Sequence, residues 1–470
     1  MTGSQESVQD EEYNEWKRRA FMAATAAAGT AGLAGCTGDG GDGGDGGDGG
    51  SSNLELLTTY TSSASKTSYK ANTEAFKQNH PNVNVNMGFT DWENIYSRLV
   101  QAANTGEWPD MAFFIDNELN LLLDDQGFAA DPAPIMEQMQ EVAGPIADDI
   151  PETHYLNKDG GFYTIQTNTQ PLGLWYRTDV LNNIGMDSAP TTWNEELEFA
   201  KKAHEADNGL SGSSISTAKN NYESSTFFGR LRGAGGNALD PEKNVVLDSQ
   251  VTVDLLEHWK KLAQYAAPGN ESFSYSEAYT NFATDKVASC YYWGRTLINV
   301  VEQTPEIQDK VSFAHNPQPD NDKASPDEVT SMSGDGGQLM SEAENPELAK
   351  QWFANYMEPE FFVNEFMIGT PGNTTPIFEN HQEPWNNFDI WSNVEFGEEI
   401  RDTLVEDTTK AHPVCRAGPD FPAFPELAEI ARTTVFNGPS SSYFAGQLDA
   451  QEAAKEMQKQ GEKVVSEYSN

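Results

Sequence analysis

Between residues 53 and 115 the sequence alternates strand-like and helix-like patterns, and this alternation constrains the fold more than any other feature. Apolar residues at every second position predict strands, whereas apolar residues three and four positions apart predict helices. The order strand, helix, strand, helix, strand predicts an α/β fold with a mostly parallel sheet. The predicted strands cover residues 53–60, 83–89 and 111–115, and the predicted helices cover residues 65–78 and 91–103.

Acidic side chains dominate the charge of the chain. The 470 residues include 73 Asp and Glu against 29 Lys and Arg, so the net charge is −44. Nucleic acid is therefore excluded as an expected partner, because phosphate contacts need Lys and Arg. Hydrophobic residues make up 37% of the chain, which predicts a folded protein with its acids on the surface. Such a surface is typical of proteins from salt-loving organisms, since multimolar salt shortens the Debye length to about 3 Å. An ordinary acidic secreted protein is the alternative.

The N-terminus carries the features of an export signal. Lys17, Arg18 and Arg19 precede an apolar stretch that ends in small residues, and the adjacent arginines resemble a twin-arginine signal. The segment that ends at Cys36 reads Leu-Ala-Gly-Cys and resembles a lipobox, where lipoproteins are cut before a Cys that is then lipidated. We therefore predict a lipoprotein signal over residues 1–35 and lipidation of Cys36. A retained membrane helix over residues 20–35 is the alternative, although that stretch is short for one.

Residues 36–53 follow as a segment of mostly Gly, Asp and Ser. Gly-rich sequence loses much backbone entropy on ordering, and regularly spaced like charges keep it extended, so we predict a flexible tether. The globular part would then stand on the extracellular face of the cytoplasmic membrane, held by a lipid anchor. The two remaining cysteines, Cys290 and Cys415, could pair or stay free, and no Cys spacing typical of a metal site is present.

Several segments of the rest of the chain carry short motifs: residues 106–114, 161–165, 173–180, 190–197, 233–237, 282–288, 333–337 and 369–376. In this order they resemble motifs of the extracellular solute-binding proteins of ABC sugar importers. At residues 190–197 the physical pattern agrees, because Thr192 and Glu195 form a predicted capping box ahead of an apolar stripe. The sequence departs from the family pattern at Gln166, where the family usually has Pro, and at Arg177, where it has Asn.

The resemblance implies two α/β lobes that close on a ligand in the cleft between them. Each lobe is expected to be a mostly parallel sheet flanked by helices. Lobe one is predicted over residues 54–163 plus 284–331, and lobe two over residues 164–283 plus 332–470.

The ligand implied by the resemblance is a sugar or oligosaccharide. Sugars present apolar C–H faces and hydroxyl groups, so their sites combine aromatic platforms with hydrogen-bonding side chains, and open α/β sheets bind ligands at strand ends. Trp293 is the favoured platform. Tyr60 and Phe114 could instead belong to the core, Asp116 and Asn117 could be helix caps, and Trp92 and Trp175 are assigned to packing. The candidate ligand-binding residues are Tyr60, Ser62, Asp116, Asn117, Asn168, Gln170, Trp293, Arg295, Gly336 and Asn373.

The function implied is that of a monomeric substrate-binding lipoprotein that captures a sugar and delivers it to an ABC permease and its ATPase. No enzymatic activity, cofactor or metal is expected. A binding protein for iron or polyamine is an alternative, because Tyr291 and Tyr292 resemble the tyrosine pair of ferric-binding proteins and an acidic cleft would suit a polycation. A secreted glycoside hydrolase with two carboxylates is a further alternative, although no motif of a known hydrolase class occurs.

Overall fold

The computed structural model describes residues 52–92, 94–156, 160–206, 209–320, 333–410, 413, 415–416 and 423–468. The predicted export signal, the predicted lipidation of Cys36 and nearly all of the predicted tether lie outside these residues. Among the helices described, none is both long and apolar enough to cross a lipid bilayer.

The first sheet joins the N-terminal part of the chain to two later segments. Its strands are β1 (Ser52–Thr58), β2 (Val83–Phe89), β3 (Met111–Asp116), β4 (Asn168–Gln170), β8 (Ser333–Leu339) and β9 (Thr375–Pro376). They lie in the order β2-β1-β3-β8-β4-β9. β1 pairs with β2 and β3 in parallel, as the sequence predicts, whereas β8 pairs antiparallel with both β3 and β4.

The second sheet has the order β6-β5-β7, with β5 at Leu172–Arg177, β6 at Ser289–Trp293 and β7 at Val311–Ala314. Both of its strand pairs are antiparallel, and an isolated parallel bridge joins Ser211 to Val287. The α/β class is confirmed, but the sheets are mixed where the sequence predicted mostly parallel ones. The periodicity of a strand shows which face is buried and carries no information on the direction of a partner that lies more than a hundred residues away.

The strand pairing also differs from the predicted division into lobes. Residues 284–331 were predicted in lobe one, yet the strands in this segment, β6 and β7, pair with β5 of the second sheet. β8 was predicted in lobe two, yet it pairs with β3 of the first sheet. The chain passes between sheets without a change in composition, so the sequence offers no local mark of these crossings. The predicted lobe boundaries remain a proposal.

Helices cover both sheets, and several begin at residues that cap them. The hydroxyl of Ser62 accepts a hydrogen bond from the backbone N–H of Ser65 at 3.1 Å. The predicted capping box is present, since Thr192 Oγ1 accepts from the N–H of Glu195 and the Glu195 carboxylate accepts from the N–H of Thr192, each at 3.2 Å. The α-helices of the described residues are α1 (Ser63–Asn79), α2 (Ile95–Thr105), α3 (Asn117–Asp125), α4 (Ala133–Ala143), α5 (Thr178–Asn183), α6 (Trp193–Glu205), α7 (Asn221–Gly233), α8 (Gln250–Ala263), α9 (Tyr275–Ala283), α10 (Thr296–Gln303), α11 (Pro346–Tyr356), α12 (Pro359–Phe361), α13 (Glu379–Asn386), α14 (Asp389–Asn393), α15 (Gly397–Lys410), α16 (Pro425–Arg432), α17 (Asn437–Phe444) and α18 (Ala450–Tyr468).

The core is rich in aromatic side chains, and Trp175 lies in it with no exposed surface, as the sequence predicts. Phe114 is equally buried, so the core alternative holds for this residue. Cys290 and Cys415 are both buried and free, in different hydrophobic clusters. A disulfide between them is therefore not formed in this structure.

Candidate functional site

A partly enclosed cavity lies between the two sheets, where loops that follow strands of each sheet meet. Its volume is about 150 Å³. A close backbone approach brings the two sides together, because a side chain at Gly294, after β6, would collide with the backbone of Gly372, ahead of β9. The lining residues are Tyr60, Trp92, Asp116, Glu118, Gln170, Asn221, Ser224, Ser225, Phe228, Tyr275, Tyr292, Trp293, Arg295, Asn373, Ala431 and Arg432.

A hydrogen-bonded cluster around Tyr60 forms the polar floor of the cavity. The Tyr60 hydroxyl donates to Asp335 Oδ2 at 2.7 Å and accepts from the side-chain amides of Gln170 and Asn373, each at 2.8 Å. Gln170 also donates to Asp335. These residues come from the end of β1, from β4, from β8 and from the loop before β9, so the cluster fixes three predicted site residues relative to one another.

Asp335 supports this floor from behind and is not among the lining residues. Its side chain is fully buried, and burial raises its pKa to about 7. Burial also raises the pKa of Tyr60, so this hydroxyl stays protonated and can donate. The sequence predicted the neighbouring Gly336 instead. A side chain at Gly336 would collide with Thr164, which means that this glycine permits close packing and does not face the cavity.

Asp116 lines the cavity, but both of its carboxylate oxygens have partners. Oδ1 accepts from the backbone N–H of Leu119 at 2.8 Å, so the residue caps α3. The guanidinium of Arg432, at the end of α16, donates to Oδ1 at 2.8 Å and to Oδ2 at 2.7 Å. The helix-cap alternative is therefore confirmed for Asp116, and the pair cancels one charge of each sign at this edge of the cavity.

Glu118, in the first turn of α3, is a lining residue that the sequence did not single out. The residue is 6% exposed, and its Oε1 is buried and has no hydrogen-bond partner among the described residues. Burial, with the nearby Asp116 charge, raises the pKa of Glu118 to about 8. At neutral pH this carboxyl is therefore mostly protonated, and a hydrogen bond to Asp116 favours the same state.

Replacing Glu118 with glutamine should stabilise the protein at alkaline pH and change little in acid. In the folded chain the carboxyl keeps its proton up to about pH 8, whereas the unfolded chain releases it near 4.5, so the free energy of unfolding falls as pH rises between these values. Glutamine cannot lose a proton and removes that fall. Thermal unfolding of Glu118→Gln and of the unchanged protein at about pH 5 and about pH 9 checks this. A melting-temperature difference that stays constant with pH would contradict it.

Aromatic rings form the wall that faces the polar floor. Trp293, at the end of β6, lies 5.7 Å from Tyr275 and 5.0 Å from Tyr292 between ring centroids. The carbonyl of Trp293 accepts from the indole N–H of Trp175 at 3.0 Å and from the hydroxyl of Thr296 at 3.1 Å, which fixes the backbone at this point. The Trp293 indole N–H is buried and has no hydrogen-bond partner among the described residues.

The lining residues of α7 are further residues that the sequence analysis missed. Asn221, Ser224, Ser225 and Phe228 face the cavity from one side of this helix. Ser225 lies within hydrogen-bond distance of the Tyr275 hydroxyl, at 3.3 Å. No local pattern marks these residues, because a Ser on a helix is as common on a solvent-exposed face as in a site.

The sequence assigned Trp92 to packing, and in the structure this residue also lines the cavity. It precedes α2 and lines the cavity, 6.1 Å from the ring of Tyr60, while it also packs on the core. Its position before the first helical residue, Ile95, could have indicated a loop residue at a strand end.

The structure brings together Tyr60, Asp116, Gln170, Trp293, Arg295 and Asn373 of the predicted set, and their role in binding stays a prediction. The other four do not line the cavity. Ser62 caps α1, Asn117 is buried and donates to the carbonyl of His154 at 3.3 Å, Asn168 is buried and donates to Thr167 at 3.0 Å, and Gly336 is closely packed. Polar residues at strand ends also serve the backbone around them, and the sequence does not distinguish these roles.

The tyrosine pair considered for iron does not converge. Tyr291 and Tyr292 are neighbours on β6 and therefore point to opposite faces. The Tyr291 ring lies under the guanidinium of Arg230, 4.2 Å from its carbon, whereas Tyr292 lines the cavity. In the part of the chain that is described, no group of three or more His, Cys, Asp or Glu side chains is placed to hold a metal ion.

Comparison with known proteins agrees with this architecture. Residues 60–361 match the family model described as bacterial extracellular solute-binding protein. The arabinooligosaccharide-binding protein of Halalkalibacterium halodurans is 23% identical over 279 residues, which are 57% of this chain and 57% of that protein. The chain spans about half the length of the curated relatives it matches.

Two solved structures show the same fold over most of the chain. Maltose-bound MalE3 of T. maritima has a TM-score of 0.71 at 18% identity, and the match covers 88% of this chain and 100% of that one. An ABC transporter solute-binding protein of Thermotoga lettingae, bound with α-D-tagatose, has a TM-score of 0.70 at 18% identity with the same coverage. These likenesses confirm the two-lobed binding-protein fold.

Proposed function

Because the chain belongs to the bacterial extracellular solute-binding proteins, a family of binding proteins and not of enzymes, we propose that it captures a sugar outside the cell and delivers it to an ABC permease. The observation that carries the proposal is the combination of aromatic rings and side-chain amides in one cavity. Trp293 and Tyr275 offer apolar ring faces, and Gln170 and Asn373 offer amide groups. This combination fits the C–H faces and hydroxyl groups of a sugar ring.

Binding would favour closure of the two sheets on the ligand. Trp293 follows a strand of the second sheet, and Tyr60 and Gln170 belong to the first, so a sugar between them contacts both sides. A ligand that contacts both sides binds the closed state more tightly and shifts the population toward it. The cavity is smaller than the roughly 300–1,000 Å³ common for small-molecule sites, which favours a short sugar over a long chain.

The relatives support a sugar as the ligand class. One curated relative is named for arabinooligosaccharides, and the two solved structures hold maltose and α-D-tagatose. The alternatives are less favoured by the cavity. Arg295 would repel a polyamine, and Tyr291 points away from a ferric ion held by Tyr292. A glycosidase would need two free carboxyls, and Asp116 is held by Arg432.

The remaining parts of the proposal concern placement. We expect export through a twin-arginine signal, lipidation of Cys36, a tether over residues 36–53 and a monomer on the extracellular face of the cytoplasmic membrane. The net charge of −44 supports function in multimolar salt, where the surface carboxylates are screened.

Thermal unfolding in multimolar salt, with and without candidate ligands, tests the ligand class. A ligand at 100 times its dissociation constant should add about 2.7 kcal/mol to the free energy of unfolding. The panel contains monosaccharides, disaccharides, polyols, spermidine and ferric citrate. We expect the melting temperature to rise with at least one sugar. If the melting temperature rises only with spermidine or only with ferric citrate, the ligand is a polyamine or iron and not a sugar.

A further inference from the structure

Arg295 is a cation in the cavity, and no described residue offers it a carboxylate partner. It follows Trp293 closely in sequence, is partly buried and lines the cavity. Among the described residues it forms no ion pair, and its guanidinium carbon lies 5.9 Å from the centre of the Tyr279 ring. By contrast, ion pairs hold the arginines at positions 177, 230, 401 and 432. Arg98 also forms no ion pair among the described residues, but it is exposed, so Arg295 is distinguished by its place in the cavity.

The acids near the cavity do not compensate this charge. Asp116 is neutralised by Arg432, which contacts both of its oxygens. Burial raises the pKa of Glu118 to about 8, so its carboxyl is mostly neutral at pH 7. Asp335 lies behind Tyr60, outside the lining, and accepts from Tyr60 and Gln170. The groups that face the ligand therefore leave a net positive charge at Arg295.

We propose that the ligand is a sugar acid, whose carboxylate pairs with Arg295 while its ring lies against Trp293. This inference rests on the proposed function and narrows its substrate class. The guanidinium presents parallel N–H donors that match the two oxygens of a carboxylate, and such bidentate pairs are both strong and geometrically specific. Glu118, as a mostly neutral carboxyl, does not repel an anionic ligand.

The geometry favours one charged group on the ligand and no more. The cavity of about 150 Å³ has room for little beyond one sugar ring, and Arg432 is already engaged. A carboxylate that leaves water for this partly buried place loses hydration, and the pairing with Arg295 offsets that loss. A neutral sugar of the same shape would leave the guanidinium without an anion.

Affinity for matched acid and neutral sugars tests the inference. Isothermal titration of the purified protein in multimolar salt compares D-glucuronate with D-glucose and D-galacturonate with D-galactose. We expect one acid of these pairs to bind at least tenfold more tightly than its neutral counterpart. In Arg295→Gln that preference should fall by about tenfold to a hundredfold, because a hydrogen bond to a charged group is lost.

Two further variants control for folding and for general charge. Arg295→Lys keeps the charge and loses the paired donors, so it should retain part of the preference. Arg98→Gln removes an exposed arginine that donates to the carbonyl of Phe89, outside the cavity lining, and should retain all of it. Melting temperatures without ligand show whether each variant is folded.

The outcomes separate this inference from the proposed function. Neutral sugars that bind as tightly as the acids would overturn the inference and leave a sugar-binding protein. A preference for acids that persists in Arg295→Gln would remove Arg295 from its stated role and overturn the inference. If D-glucose 6-phosphate binds and neither uronate does, the anionic group of the ligand is not a carboxylate and the inference is wrong. If no sugar binds, neutral or acidic, both the inference and the proposed function are wrong.

Discussion

Replacing Trp293 with alanine is expected to weaken sugar binding at least tenfold. Its ring lines the cavity together with those of Tyr275 and Tyr292. Truncating a buried aromatic residue at the centre of a binding site costs about 2 kcal/mol or more, which corresponds to more than tenfold in affinity. Isothermal titration with the sugar that best stabilises the unchanged protein measures this effect.

A stability control is needed, because Trp293 also packs against Tyr222, Tyr275 and Tyr292. Trp108→Ala is the matched variant: Trp108 packs against Phe128, 5.0 Å away, and does not line the cavity. It should lower the melting temperature and leave the affinity unchanged. Trp293→Phe keeps a ring and should bind at an intermediate level. Equal affinity of Trp293→Ala and the unchanged protein would remove Trp293 from the site.

The second large effect is on stability. Replacing Arg230 with methionine should lower the free energy of unfolding by about 3–5 kcal/mol. Arg230 and Glu196 form a fully buried bidentate pair, with N–O distances of 2.7 and 2.5 Å. His258 lies 3.0 Å from the same carboxylate. Methionine fills the space of arginine but leaves the Glu196 charge buried without its main partner. Urea unfolding in multimolar potassium chloride measures the loss.

Two comparisons make this prediction specific. The double variant Arg230→Met with Glu196→Leu also removes the buried carboxylate that lost its partner, so it should recover much of the stability. Burial by itself would raise the pKa of Glu196, but the Arg230 charge and its hydrogen bonds lower it to about 2. The pair therefore stabilises the fold fully above pH 4.5 and less as pH falls toward 2, so the variant and the unchanged protein should converge in acid. A loss below about 1 kcal/mol at neutral pH would contradict the account.

This pair also supports the site. Arg230 lies on α7, the helix that contributes Ser224 and Phe228 to the cavity, and its guanidinium packs over Tyr291, two residues before Trp293. The pair thus connects the helix and the strand that form one wall. The sequence analysis did not identify it, because nothing local links Glu196 to a residue 34 positions later.

The sequence predicted what depends on local patterns. The periodicity of residues 53–115 located β1, β2 and β3, and the capping box at Thr192 is present. Tyr60, Gln170 and Trp293 were found because they stand at the ends of strands, where ligands of open α/β sheets bind.

The sequence did not predict what depends on distant contacts. Arg432 reaches Asp116 across 316 positions, and Asp335 reaches Tyr60 across 275. Asn117 and Asn168 have the right residue type near the right strands, but their amides bond to His154 and Thr167. Strand direction in the second sheet was missed for the same reason, since pairing partners are chosen by tertiary packing.

The crystal structure of the protein with its best stabilising sugar tests the central claim most directly. The account predicts the sugar ring between the two sheets, against Trp293, with hydroxyl groups bonded to Gln170 and Asn373. A sugar held in the separate groove beside Trp385 and Arg401, or one that leaves Trp293 untouched, would contradict it.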